Sequence, residues 1–123
     1  GYYFHCEPGR NLVGGGLWMP QAPELGKVRQ EIDYNFAEWQ KILKAASFKK
    51  VFPEGLDTED MLSRPPKGYD EENPAIEFLK LKSFIVTRTL SDAEMQSRSA
   101  LKEILKTFGA MKEFIYFLNR SFE

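Results

Sequence analysis

Hydrophobic and polar residues recur along this chain with two different periods, and the change of period marks its elements. The opening segment Tyr2-Tyr3-Phe4-His5-Cys6-Glu7 is rich in aromatic residues, which suit a pleated, half-buried surface. Pro8-Gly9-Arg10-Asn11 then supplies a turn, and Leu12 to Met19 reads as a second extended segment. A β-hairpin over Tyr2–Met19 is therefore expected. Two strands alone are marginal in water, so a third strand or a helix layer must cover the apolar face. The best candidate is Ser83–Leu90, which combines β-branched residues with an aromatic.

Elsewhere the period lengthens to that of a helix. Pro20 and Pro23 suit the entry to a helix from about Pro23 to Asp33, with Leu25, Val28, Arg29 and Ile32 on one face. Asn35 is placed to cap a second helix whose Phe36, Trp39, Ile42 and Leu43 form a buried stripe, leaving Lys41 and Lys44 in water. Phe48 to Glu72, rich in Pro, Gly and charge, reads as a long irregular connection, and Pro74 opens a short helix through Leu79. Ser91-Asp92-Ala93-Glu94 matches a capping box. From about Ser99, Leu101, Ile104, Leu105, Phe108, Met111, Ile115, Leu118 and Phe122 recur at spacings of three and four, which predicts one long amphipathic helix. Phe114 and Phe117 widen its stripe. The fold class is α+β: a small, mainly antiparallel sheet packed against several helices, in one domain spanning residues 1–123.

Composition narrows the classes of function. Hydrophobic residues make up 42% of 123, enough for one core and too many for a disordered chain. Lys+Arg is 17 against Asp+Glu 18, interspersed throughout, so nucleic acid is not an expected partner. Apolar runs extend only a few residues, so no membrane span is expected. A single cysteine, Cys6, has no internal disulfide partner and points to the cytoplasm.

The order of several motifs resembles a bacterial and fungal family, domain of unknown function 2461. The matching stretches are Gly1-Tyr2-Tyr3-Phe4-His5 with Glu7-Pro8-Gly9, Gly14-Gly15-Gly16-Leu17-Trp18-Met19-Pro20, Arg29-Gln30-Glu31-Ile32 and Arg64-Pro65-Pro66-Lys67-Gly68-Tyr69-Asp70. Leu79-Lys80-Leu81-Lys82-Ser83-Phe84 and Phe117-Leu118-Asn119 also look like it. The resemblance implies that this chain corresponds to the C-terminal part of a longer family domain. It implies no particular reaction.

Candidate chemistry lies at four places. Gly14-Gly15-Gly16, bounded by Trp18, can line an anion with backbone N–H groups, or can mark a bulge or a close approach of neighbouring atoms. His5 and Glu7 share a strand face and can act as an acid–base pair, or simply pair on the surface; no further ligand motif accompanies them, so no metal or cofactor is expected. In Arg64-Pro65-Pro66-Lys67-Gly68-Tyr69-Asp70, two prolines stiffen a loop on which Arg64, Lys67 and Tyr69 offer donors to a carboxylate or phosphate; alternatively the cations anchor the loop to nearby acids. Arg88 ends an apolar strand face and must find an anion or reach solvent. If Arg88 converges with Lys67 and the glycines, the three form an anion pocket.

The sequence therefore points first to a cytosolic domain that binds a small anionic molecule, with an enzymatic role left open because no nucleophile elbow or triad is visible. The competing class is a protein-interaction module that uses the aromatic last helix or an exposed sheet edge, a homodimer included.

Overall fold

Three consecutive glycines make the second strand the thinnest part of a three-stranded antiparallel sheet, and the helices close on it there. The computed structural model describes residues 1–123. Strand β1 (Tyr2–His5) pairs with β2 (Asn11–Leu17), Tyr2 opposite Gly15 and His5 opposite Leu12. On its other side β2 pairs with β3 (Phe84–Leu90), Asn11 opposite Leu90 and Leu17 opposite Phe84, so the strand order is β1-β2-β3. Between β2 and β3 run α1 (Ala22–Tyr34), α2 (Phe36–Lys44), α3 (Ala46–Val51) and α4 (Ile76–Leu79). After β3 come α5 (Asp92–Gln96), α6 (Ala100–Ala110) and α7 (Lys112–Arg120). The fold is α+β, and no helix is long and apolar enough to cross a membrane.

Each glycine of β2 has its own reason. A Cβ on Gly14 would lie 2.7 Å from the Tyr3 ring and 2.6 Å from the Val86 carbonyl oxygen. On Gly15 it would lie 2.5 Å from Met111 Sδ, on the opposite face. Gly16 has φ of 128°, in the region that favours glycine, and a Cβ there would run into the Phe84 carbonyl. Of the two meanings these residues carry, close packing is the one realised: Tyr3 fills the space on one face, Met111 and Ile115 on the other.

That close approach also changes the last third of the chain. In place of one long helix, α6 and α7 meet at Met111, whose backbone (φ −96°, ψ 2°) leaves the helical path while its side chain is fully buried against β2. Both segments contact β2. It buries Phe114 and Phe117 and leaves Leu101 and Leu105, 67% and 58% exposed, outside the core. Three further expectations are adjusted. The start of the irregular connection is helical, as α3, because Phe48 and Val51 at i, i+3 turn inward together with Phe52 while Lys49 and Lys50 face water. Strand β2 stops at Leu17, since Met19 adopts φ of 44° and donates its N–H to Ser83 Oγ at 2.8 Å. Asn35 occupies the N-cap position of α2, yet its side chain turns back to Glu31.

Trp39 is the hub of the core. Its ring centroid lies 5.8 Å from Phe78, 6.5 Å from Phe84, 5.7 Å from Phe114 and 5.1 Å from Phe117, joining α2 to α4, β3 and α7. Outside it, Arg120 grips Glu38 with two hydrogen bonds of 2.9 and 2.8 Å and lies 4.8 Å over the Phe117 ring. The hairpin turn is tied down by Asp92, which accepts from the Gly9 N–H at 2.9 Å and from Asn11 Nδ2 at 2.8 Å. These bonds, the Gly9 one foremost, hold its carboxyl below the ordinary range. The capping box at the same helix start is complete, Ser91 Oγ accepting from Glu94 N–H and the Glu94 carboxylate from Ser91 N–H.

Two outcomes follow for stability. Gly16→Ala is expected to lower unfolding free energy by about 3 kcal/mol through backbone strain and clash, whereas Gly26→Ala, in the exposed middle of α1 with open space around its Cβ, raises it by about 1 kcal/mol; urea unfolding measures both. Asp92→Asn is expected to destabilise at neutral pH. Because the native carboxyl is depressed, its contribution is present above the unfolded pKa and is lost as pH falls through the native one, so parent and variant converge in acid in a pH series of urea unfolding.

Candidate functional site

A polar cleft of about 520 Å³ opens between α1 and the loop that carries the two prolines. Helix α1 contributes Arg29, Gln30 and Asp33 to it, and the loop contributes Lys67, Gly68 and Tyr69. The spacing 29, 30, 33 places the α1 residues on neighbouring turns of one face. The loop reaches that face because its backbone is fixed locally. Pro66 is buried, its carbonyl accepts the Tyr69 N–H at 3.1 Å, and Gly68 takes φ of 96° to close the turn. Downstream, Asp70 Oδ1 accepts the Glu72 N–H at 2.9 Å, and Asn73 Nδ2 donates to Asp33 Oδ1 at 2.8 Å, tying the loop to α1.

Arg29 dominates the electrostatics. It belongs to the inward side of α1, beside fully buried Val28 and Ile32, and is itself half-buried. One terminal nitrogen, Nη2, donates to the Leu81 carbonyl at 3.1 Å, while the buried Nε has no hydrogen-bond partner. No carboxylate lies within ion-pair distance of it. Burial pulls its pKa down, with the Tyr69 phenol opposing. Lys67 is exposed and likewise unpaired. The Tyr69 hydroxyl is pushed up, first by burial and then by Asp33 and Tyr34, with Arg29 opposing, so at neutral pH it is a hydrogen-bond donor.

The other candidate residues lie elsewhere. Arg64 is exposed and outside the cleft. Arg88 shares the helix-facing side of β3 with Phe84 and Val86, and there it meets its anion: Nη1 contacts Glu103 Oε2 at 3.1 Å and Thr107 Oγ1 at 2.9 Å. It lines a different concavity, with Lys50 and Thr87, so Lys67 and Arg88 do not converge. Gly14, Gly15 and Gly16 are occupied by packing, and Trp18 is 75% exposed at the strand end. His5 Nε2 and Glu7 Oε1 stand 3.4 Å apart on the exposed hairpin, with Arg10 4.0 Å from the same carboxylate. Arg29 and Asp33 line the cleft without having been candidates on sequence. The signal was present in an arginine that falls on the apolar stripe Leu25–Val28–Ile32.

A groove of about 560 Å³ between α3 and the Glu54–Met61 segment is comparable in size and is lined in larger part by apolar side chains such as Leu43, Phe48, Leu56 and Phe78. What sets the cleft at Arg29 apart is a partly buried guanidinium with no counter-ion and an unpartnered Nε.

Fold and site together define a small α+β domain with a charged cleft between its first helix and a proline-stiffened loop. The chain belongs to the family described as Conserved hypothetical protein (DUF2461), which matches residues 1–117. No curated protein and no solved structure matches it.

The environment of Tyr69 can be read directly. In a spectrophotometric titration Tyr69 and Tyr3, both raised mainly by burial, are expected to ionise above the ordinary tyrosine range, and Tyr69→Phe removes one of these two late steps. Loss of an early step instead contradicts the placement.

Proposed function

We propose that this domain binds a small anionic molecule in the cleft between α1 and the 64–70 loop. Arg29 and Lys67 take up the ligand's negative charge, and the Tyr69 hydroxyl donates a hydrogen bond to it. The observation that carries this reading is the Arg29 guanidinium, half-buried at an opening, with no counter-ion and a buried N–H unpartnered. Taking a cation out of water without a partner is costly, and an incoming anion removes that cost. The cleft's volume suits a small molecule. The cytoplasm belongs to the same reading, because Cys6 is exposed and unpaired, as suits reducing surroundings.

A second reading, self-association, is favoured by one observation. Leu101 and Leu105 stand exposed on the face of α6 that continues to Phe108, against whose ring Tyr2 of the edge strand packs edge-on at 5.2 Å. The aromatic last helix does not supply this surface, since Phe114 and Phe117 are buried. Sedimentation over a range of protein concentrations tests it.

The main reading is tested by thermal unfolding in the presence of phosphates and carboxylates. A ligand at about a hundredfold above its dissociation constant adds about 2.7 kcal/mol and moves the melting temperature by several degrees. The shift is expected to vanish in Lys67→Ala. In Arg88→Ala it is expected to persist on a lower baseline, because Arg88 is spent on Glu103 and Thr107. No shift from any of the acids, or one that survives Lys67→Ala and is lost in Arg88→Ala, contradicts the reading.

A further inference from the structure

The cleft contains a carboxylate as well as two cations, and the three charges are held apart. Asp33 lines the same opening as Arg29 and Lys67, yet neither cation lies within ion-pair distance of it. The other two partly buried arginines each end on a carboxylate, Arg120 on Glu38 at 2.8 Å and Arg88 on Glu103 at 3.1 Å. Asp33 has a support of its own. Its Oδ1 accepts from Asn73 Nδ2 at 2.8 Å, and Asn73 Oδ1 in turn accepts the Ala75 N–H at 2.8 Å. The amide is thus tied at both ends and fixes one oxygen of the carboxylate, while Asp33 Oδ2 is in no hydrogen bond with the protein. Arg29 is fixed in the same way by the Leu81 carbonyl. Two preorganised stations of opposite sign in one small cleft match a ligand that carries both signs.

From this arrangement we infer that the ligand of the cleft is a small zwitterion, its acid group held by Arg29 and Lys67 and its ammonium held by Asp33. The inference rests on the anion-binding reading and narrows it to a substrate class. A ligand with an acid group alone leaves the Asp33 carboxylate facing it unpaired, so the same cleft that attracts the zwitterion disfavours the simple acid.

Isothermal titration with two matched pairs tests this: ethyl phosphate against O-phosphoethanolamine, and propionate against β-alanine. Within each pair the second member differs by a terminal ammonium. In at least one pair the ammonium-bearing member is expected to bind about tenfold tighter or better, the worth of one charge-assisted hydrogen bond. Asp33→Asn, which keeps an oxygen to accept from Asn73 and loses the charge, is expected to erase that advantage without weakening the ammonium-free member. Asp33→Ser gives the same comparison should the asparagine variant fold poorly. Lys67→Ala is expected to weaken both members of a pair alike. If the ammonium-free acids bind and no pair shows an advantage, or the advantage persists without the Asp33 charge, this inference is overturned and the anion-binding reading stands. If none of the four probes binds, both are overturned.

Discussion

The approach of helices to strand across the side-chain-free middle of β2 is the constraint on which the rest of the structure depends. Gly15 lets Met111 come down onto the sheet, and seating Met111 there divides the C-terminal helical region into α6 and α7. The division directs Phe114 and Phe117 at Trp39, which in turn gathers α2, α4 and β3. Arg120 at the end of α7 then holds α2 from outside through Glu38 and approaches Glu31 on α1 at 3.8 Å. Packing of this kind transmits position, because a close-packed interior does not deform continuously. By this route a run of glycines in the sheet sets where α1 lies, although α1 shares no hydrogen bonds with the sheet.

The three partly buried arginines show how differently one side chain can be used. Arg88 and Arg120 each end on a carboxylate and serve to join elements, Arg88 linking β3 to α6 and Arg120 linking α7 to α2. Arg29 is equally restrained, but by a backbone carbonyl, so it keeps its net charge at the cleft. A structural arginine on a helix stripe is normally neutralised by the fold, and one that is not is a candidate for meeting a ligand. The cleft's second wall is a loop whose shape is set by Pro66, Gly68 and the Asn73–Asp33 bond, and loops fixed on a rigid scaffold commonly carry binding groups.

Much of the fold was legible along the chain. The hairpin, the third strand, α1, α2 and the capping box at Ser91 all follow from local period and turn chemistry, and they are present at or within a few residues of the expected bounds. What escaped depends on contacts distant in sequence. The apolar stripe continues through the break at Met111, whose seat on Gly15 lies far away in sequence, and Gly109 is the one local mark of it. Helix α3 was hidden because Lys49 and Lys50 interrupt its short pattern, and Asn35 suits a cap that its side chain does not make. Of the candidate site, Lys67 and Tyr69 were legible because a stiffened loop with donors is recognisable by composition. Arg29 and Asp33 were not, since their meaning depends on which loop folds over them. Two of the stretches that carry the family resemblance, Arg29-Gln30-Glu31-Ile32 and Arg64 to Asp70, supply residues to opposite walls of the cleft. For Arg88 the strand pattern required an anion or solvent, and the choice between them is made by α6, which places Glu103 beside it.

The central claim is that Arg29 is the cation held in reserve for a ligand. Nuclear magnetic resonance of the arginine side chains, with inorganic phosphate titrated into the nitrogen-15-labelled protein, tests it most directly. The account predicts a saturable shift of the Arg29 guanidinium resonances while those of Arg88 and Arg120 stay in place. An Arg29 signal that moves no more than theirs contradicts it.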